Sequence, residues 1–388
     1  MRRVPLIMGL VCVLMMAATD GLGAGLLHLG PEQIVQADGA DIDVGTHSVP
    51  SFVDWDNDGL KDLVVGTGEG KVHVYLNAGT EAGPQFVNYF YVQHSGADLY
   101  CPPGEDMGCF PRLVYWDADA RRDLLVGQAD GTVQIFLNTG THSNPIFDVS
   151  SIVQVGYPYY NEEDLQVGAL ACPTVIDWDS DGRKDLVAGA LDGKIHIYLN
   201  CGCISTALAF YSSPPEGTLA RENDANLVVP ENGSSPVVLD LDGDAKKDLL
   251  LGNSKGQLLF YSNMGTDEAP VFSGHTLVES NGLPIDLGDS MWSRPFVCDW
   301  TGDGYPDVLL GAGDGKVRLY QSVAQTGDID KDYDVDLYDF TLLAAAWRTR
   351  PEEANWNLLC DISDPNDDMI DERDLAVLSE HWLGGVPY

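Results

Sequence analysis

Val49 to Gly66 reads VPSFVDWDNDGLKDLVVG, and four further stretches repeat its plan: FPRLVYWDADARRDLLVG (110–127), CPTVIDWDSDGRKDLVAG (172–189), SPVVLDLDGDAKKDLLLG (235–252) and RPFVCDWTGDGYPDVLLG (294–311). Their prolines, Pro50, Pro111, Pro173, Pro236 and Pro295, lie 61, 62, 63 and 59 residues apart. Self-similarity at a fixed period means one supersecondary unit per repeat, stacked on its neighbours because a single unit cannot bury its apolar faces alone.

Working outward from the quoted stretch, each repeat predicts four short strands. An apolar run follows the proline, an acidic loop comes next, and a run such as DLVVG follows it. A Gly-containing turn (GEG, ADG, LDG, SKG or GDG) leads into a third run such as KVHVYLN, the pattern of a β-hairpin. Fourth strands are predicted to begin near Phe86, Phe147, Phe210 and Phe272. Four-stranded units repeated around an axis make a β-propeller, here of five blades spanning residues 25–321. The fifth repeat stops after Tyr320. Ile34-Val35-Gln36 followed by Asp41–Gly45 resembles Ile152-Val153-Gln154 followed by Asp164–Gly168, so residues about 31 to 45 are expected to supply the missing strand and close the ring.

The acidic loop suggests a metal. The first and third repeats carry D-x-D-x-D-G-x-x-D, with Asp54, Asp56, Asp58 and Asp62, and Asp177, Asp179, Asp181 and Asp185. Carboxylates at alternate positions converge when the backbone curls, and such a cage suits Ca2+, which takes six to eight oxygens in flexible geometry. The fourth repeat keeps Asp240, Asp242, Asp244 and Asp248 but has Ala245 where glycine is expected. Thr301 replaces the second acid of the fifth, beside Asp299, Asp303 and Asp307. The second has Tyr115 at the first position and Ala120 for glycine, leaving Asp117, Asp119 and Asp123 as a weak or empty loop. On these residues the chain resembles the FG-GAP/VCBS repeat family, the calcium-loop propellers of integrin α-chains and many exported bacterial proteins. That resemblance implies a calcium-bearing scaffold for varied partners.

The last sixty residues differ in kind. Asp328, Asp330, Asp332, Asp334, Asp336 and Asp339 stand at positions 1, 3, 5, 7, 9 and 12 of an EF-hand-like loop, followed by a helix with Phe340, Leu343 and Trp347 on one face. The pattern returns with Asp361, Ser363, Asp371 and Asp374, then Leu375, Leu378 and Trp382. Residues 327–388, joined through a linker at 322–326, therefore resemble a type I dockerin, which implies Ca2+ and a cohesin domain as partner. Tyr333 takes the place of the usual loop glycine, and the second loop is two residues longer than standard. The family's partner contacts would fall on Leu337, Tyr338, Glu372 and Arg373.

Composition sets the compartment and excludes some partners. Arg2 and Arg3, an apolar run from Val4 to Met16 and small residues to Gly25 read as a signal peptide over 1–24, too short to span a membrane, so a secreted or cell-surface protein without a transmembrane segment is expected. With 60 acids against 21 bases the net charge is −39, which repels nucleic acid. Seven cysteines remain past the signal, an odd number; Cys101 and Cys109 are a plausible disulfide across CPPGEDMGC, and Cys298 a buried thiol.

Apparent catalytic motifs dissolve into the repeat. GTGEGK (66–71), GAGDGK (311–316) and the G-x-S-x-G of Gly252–Gly256 all fall on the hairpin turn, without the strand-to-helix context their chemistry needs. His73 and His196 occupy one strand position and read as surface residues. Two functions remain: a non-catalytic binding or adhesion scaffold attached through its dockerin to an extracellular polysaccharide-degrading assembly, with a glycan or protein ligand on the propeller, or a carbohydrate-active lyase or hydrolase on the same scaffold. Tyr157, Tyr159 and Tyr160 in the long loop 151–172 suit sugar stacking. A cluster of Glu, Asp, Arg and Tyr around the central channel would favour the enzyme.

Overall fold

The computed structural model describes residues 27–104, 108–156, 162–202, 210–211, 217–223, 225–289, 291–324, 326–331, 335–363 and 367–382. The signal segment, Cys12, Cys203, the tyrosines at 157, 159 and 160, and Asp332, Tyr333 and Asp334 lie outside them. Two compact units are present: Leu29–Asp240 with Lys246–Ser322, and the residues from Val323 onward with Leu241–Ala245.

The larger unit is the five-bladed propeller. Each blade is an antiparallel sheet whose innermost strand follows the repeat proline: Val49–Val53, Phe110–Val114, Cys172–Ile176, Ser235–Leu239 and Arg294–Cys298. These innermost strands contact one another in ring order, and the fifth returns to the first. Second strands run Asp62–Gly66, Asp123–Gly127, Asp185–Gly189, Asp248–Gly252 and Asp307–Gly311, every residue buried. The repeated Gly and Pro have one cause. A Cβ on Gly311 would lie 2.1 Å from the Ser48 carbonyl oxygen and 2.6 Å from Pro50 Cδ, and Gly66, Gly127 and Gly189 meet Pro111, Pro173 and Pro236 in the same way. Adjacent blades approach so closely there that only glycine fits.

Closure follows the expected route. Gln33–Ile34 completes the fifth blade against Val317–Tyr320, with Gln33 opposite Leu319 and Ile34 opposite Arg318. The chain then forms a small hairpin, Gln36–Ala37 with Ala40–Asp41, that pairs with the outer strand of the first blade at Phe86. Hairpins after the outer strands recur around the ring: Asp38, Gly156 and Asn223 each donate an amide to Phe86, Phe210 and Phe272 respectively. The ring is thus stapled at its rim as well as packed at its axis. Trp55, Trp116, Trp178 and Trp300, one residue into four of the five acidic loops, are buried in the apolar clusters between blades, and Trp300 stacks on Phe52 at 4.6 Å.

Three expectations need correction. Cys101 and Cys109 are both free, buried thiols, the Cys109 Sγ donating to the Lys71 carbonyl at 3.0 Å. Cys298 is a free thiol but only half-buried. His73 and His196 are buried, because the third strand of a blade is covered by the fourth; His73 stacks on Tyr89 at 4.1 Å, and burial lowers its pKa to about 4.

The smaller unit holds two nine-residue helices, Leu337–Ala345 and Glu372–Glu380, each opened by a capping box. Asp336 and Asp371 are the N-caps, and Asp339 and Asp374 reach back to their amides. Phe340, Leu343 and Leu378 are buried with Ile329, Val335, Cys360 and Ile370, and Trp347, Leu375 and Trp382 pack on that cluster. Two backbone bonds tie the halves together: Arg348 N donates to Ile370 O at 2.7 Å, and Ile370 N donates to Thr349 O at 3.2 Å. No helix among the described residues is long and apolar enough to cross a membrane.

Candidate metal centres

Each propeller loop hangs from a bracket. The last aspartate is buried at the start of the second strand: Asp62 Oδ2 accepts from Trp55 N at 2.8 Å and Oδ1 from Asn77 N at 2.8 Å. Asp123 does the same with Trp116 and Asn138, Asp185 with Trp178 and Asn200, and Asp307 with Trp300 and Ser322, while Asp248 Oδ1 accepts from Asn263. Burial pushes the Asp62, Asp123 and Asp185 carboxyls up to about 6 and raises that of Asp307. The asparagine then organises the following turn; Asn77 Oδ1 accepts from Gly79 and Gln85, and Asn263 Oδ1 from Gly265 and Val271. These asparagines were not singled out from the sequence, although the constant offset of 15 from the aspartate, in YLN, FLN, YLN and YSN, is a legible signal.

Ahead of the bracket the loops diverge. In the first, one oxygen from each of Asp54, Asp56 and Asp58 lies within 4.8 Å of the others; in the third, Asp177, Asp179 and Asp185 do the same. Gly59 and Gly182 take φ of +94° and +85° where the backbone curls, and their amides donate to Asp54 Oδ2 and Asp177 Oδ2 at 3.3 and 2.9 Å. Burial, then the charges of Asp58 and Asp54, raise the Asp56 carboxyl above its usual range. Asp54 Oδ1 is buried and accepts from no protein donor. A like-charged oxygen set, half-buried to exposed, with one buried orphan acceptor is the donor chemistry a hard cation completes, so the residues fit calcium.

In the second and fifth loops the carboxylates are used differently. In the second loop Asp119 is ion-paired by Arg121 and Tyr115 is exposed. In the fifth, Asp299 accepts from the Gly302, Asp303 and Gly304 amides and Asp303 from Tyr305, with Thr301 where an acid would stand. Among the described residues neither loop gathers three carboxylates. Asp240 and Asp248 belong to the propeller unit, whereas Asp242 and Asp244 lie on Leu241–Ala245, where the Asp244 amide donates to Asp242 Oδ1 at 3.3 Å.

In the helical unit Asp328, Asp330 and Asp339 converge within the same 4.8 Å. Asp339 is fully buried and accepts from Ile329 N at 2.5 Å and Asp336 N at 2.8 Å; Asp374 repeats this with Ile362, Ser363 and Asp371. The longer second loop leaves Asp361 Oδ1 and Ser363 Oγ buried without a partner, yet gathers no three-carboxylate set among the described residues. Tyr338, one of the four residues at the helix starts, is 60% exposed.

A family model described as an FG-GAP-like repeat matches residues 177–251 and 240–310, from the third acidic loop into the fifth blade. The chain carries FG-GAP-like repeats arranged as a five-bladed β-propeller. No curated protein matches it. Among solved structures it is similar to a hypothetical protein from Leishmania major, at 11% identity over 81% of this chain and 94% of that one, with a TM-score of 0.42. It is also similar to Saccharomyces cerevisiae Sqt1, at 12% identity over 78% and 100%, TM-score 0.34. With the Photorhabdus luminescens Tc holotoxin pore it shares 14% identity and a TM-score of 0.36; 77% of this chain is covered but only 15% of that chain's length.

Proposed function

We propose that this is a secreted, calcium-loaded, non-catalytic binding or adhesion scaffold whose helical unit is dockerin-like and docks on a cohesin domain of an extracellular polysaccharide-degrading assembly. The observation that carries the reading is the convergence of carboxylates in the first, third and first helical loops, together with the duplicated loop, capping box and helix of the C-terminal unit. An acidic cluster of this density costs free energy unless a cation neutralises it, so calcium is a folding partner of both units. FG-GAP-like repeats are consistent with binding without catalysis. The alternative, a carbohydrate-active enzyme, draws less support: the cavity at the propeller axis is lined by apolar and hydroxyl side chains and one arginine, with no carboxylate.

The test is retention of the full chain on immobilised cohesin domains in calcium and in chelator. Retention in calcium, loss in chelator and loss in Asp328→Ala support the assignment. Retention that ignores both chelator and the substitution, or none on any cohesin, overturns it.

A further inference from the structure

The third residue of each innermost strand lines one axial cavity of about 210 Å3: Ser51, Arg112, Thr174, Val237 and Phe296, with Val297 beside them. At the starts of the same strands Val49, Phe110 and Cys172 are buried with Leu170 and Trp292, which plugs the channel on that side. Arg112 is the one charged residue in the cavity lining and is 7% exposed. Its Nη1 donates to Ser51 Oγ at 2.8 Å, Pro111 O at 3.0 Å and Pro50 O at 3.2 Å. The guanidinium lies over the rings of Phe110 and Phe296, at 4.4 and 5.4 Å.

The chain holds 60 carboxylates. Among the described residues no ion pair reaches Arg112, and all its hydrogen bonds leave from Nη1, so the donors on Nε and Nη2 are unused by the protein. Burial lowers its pKa to about 10, yet the side chain remains a cation at neutral pH. A buried charge without a counter-ion is costly, and a guanidinium edge pointed into a cavity matches a carboxylate in fork geometry.

We propose that the axial cavity binds a small monocarboxylate, its anionic end on Arg112 and its short apolar tail against Val237, Phe296 and Val297. The volume falls below the roughly 300 Å3 at which pockets for larger ligands begin, so the ligand has only a few carbons. Apolar walls disfavour hydrated inorganic anions, and the acidic exterior disfavours multiply charged ones.

Butyrate is the probe. The calcium-loaded full chain is titrated calorimetrically at constant ionic strength, with sodium chloride and sodium sulfate as parallel titrants. Saturable binding of one butyrate per chain is expected, weakened about tenfold or more in Arg112→Met because a charge-assisted bond is lost. Val237→Phe keeps the arginine but fills the cavity, and should abolish binding while the chain still melts cooperatively. This second variant serves if Arg112→Met does not fold. No binding to the wild type, equal binding in the variants, or chloride or sulfate binding as tightly as butyrate overturns the proposal.

Discussion

The acidic loops of the first and second blades share a scaffold and differ in what it holds. Asp62 and Asp123 are equally buried, accept the same two amides and have their carboxyls raised alike. Above that bracket Asp54, Asp56 and Asp58 converge, whereas in the second loop Tyr115 replaces the first carboxylate and Arg121 neutralises Asp119. The difference teaches that the repeat contains two separable layers. One aspartate, with the tryptophan amide and the asparagine, builds the blade, and in the third loop that aspartate, Asp185, also joins the converging set; the carboxylates before it gather charge and can be lost without losing the blade.

The largest effect should come from the shared layer. Asp62→Ala and Asp123→Ala each strip two buried amides of their acceptor, which costs about 2–6 kcal/mol in denaturant unfolding at a penalty of about 1–3 kcal/mol per unsatisfied group. The losses should be similar in the two blades and persist in chelator. A loss confined to calcium-containing buffer would collapse the two layers into one.

The second test addresses the layer that differs. Asp56→Ala should remove most of the calcium-dependent stabilisation of its loop, about 2–3 kcal/mol at calcium a hundredfold above the dissociation constant. Asp119→Ala should remove almost none. Thermal melts with and without calcium read this directly, and equal effects would show that convergence of carboxylates does not rank the loops.

A smaller effect is expected with pH. Burial raises the Asp123 carboxyl from its ordinary 3.8 to about 6, so folding favours its protonated form. The stability linked to this group is fully present below about pH 4 and is lost as pH rises through 6. In chelator, acidification from pH 7 to 5 should therefore stabilise the wild type relative to Asp123→Asn, measured as the difference between their unfolding free energies at each pH. A difference that moves the opposite way would mean that the amide bonds to Asp123 outweigh its desolvation.

Much of this was legible in the sequence because the signal was repeated. Five prolines, five glycines and the N-terminal echo of Ile152-Val153-Gln154 reported blade number and ring closure, since each marks a contact that recurs around the ring. What was less legible depends on which neighbour a side chain meets. Asp62 and Asp54 look alike in D-x-D-x-D-G-x-x-D, and only the placement of Trp55 N and Asn77 N on both oxygens of Asp62 separates their roles. His73 reads as a surface residue until the fourth strand covers it, and Arg112 stands at a position filled by Ser51, Thr174, Val237 and Phe296 elsewhere. A residue unlike its counterparts is invisible to a reading built on similarity.

The smallest effect concerns the glycine that the second loop lacks. Gly59 has φ of +94°, and Ala120, its counterpart, has +62°. A Cβ on Gly59 would meet nothing within 4 Å, so Gly59→Ala tests the backbone alone. The left-handed region costs an L-residue roughly 1–2 kcal/mol, and Gly59 lies beyond its usual centre near 57°, so this substitution should cost about that much. Ala120 already sits close to that centre. Ala120→Gly removes the steric cost but adds unfolded-chain entropy, and the two nearly offset, leaving a gain below about 1 kcal/mol. The asymmetry is the point: the loss in the first loop should exceed the gain in the second, in chelator as well as in calcium. If Ala120→Gly stabilised the chain only in calcium, the glycine would be serving an ion in the second loop, and the contrast between the two loops would narrow to Tyr115 and Arg121.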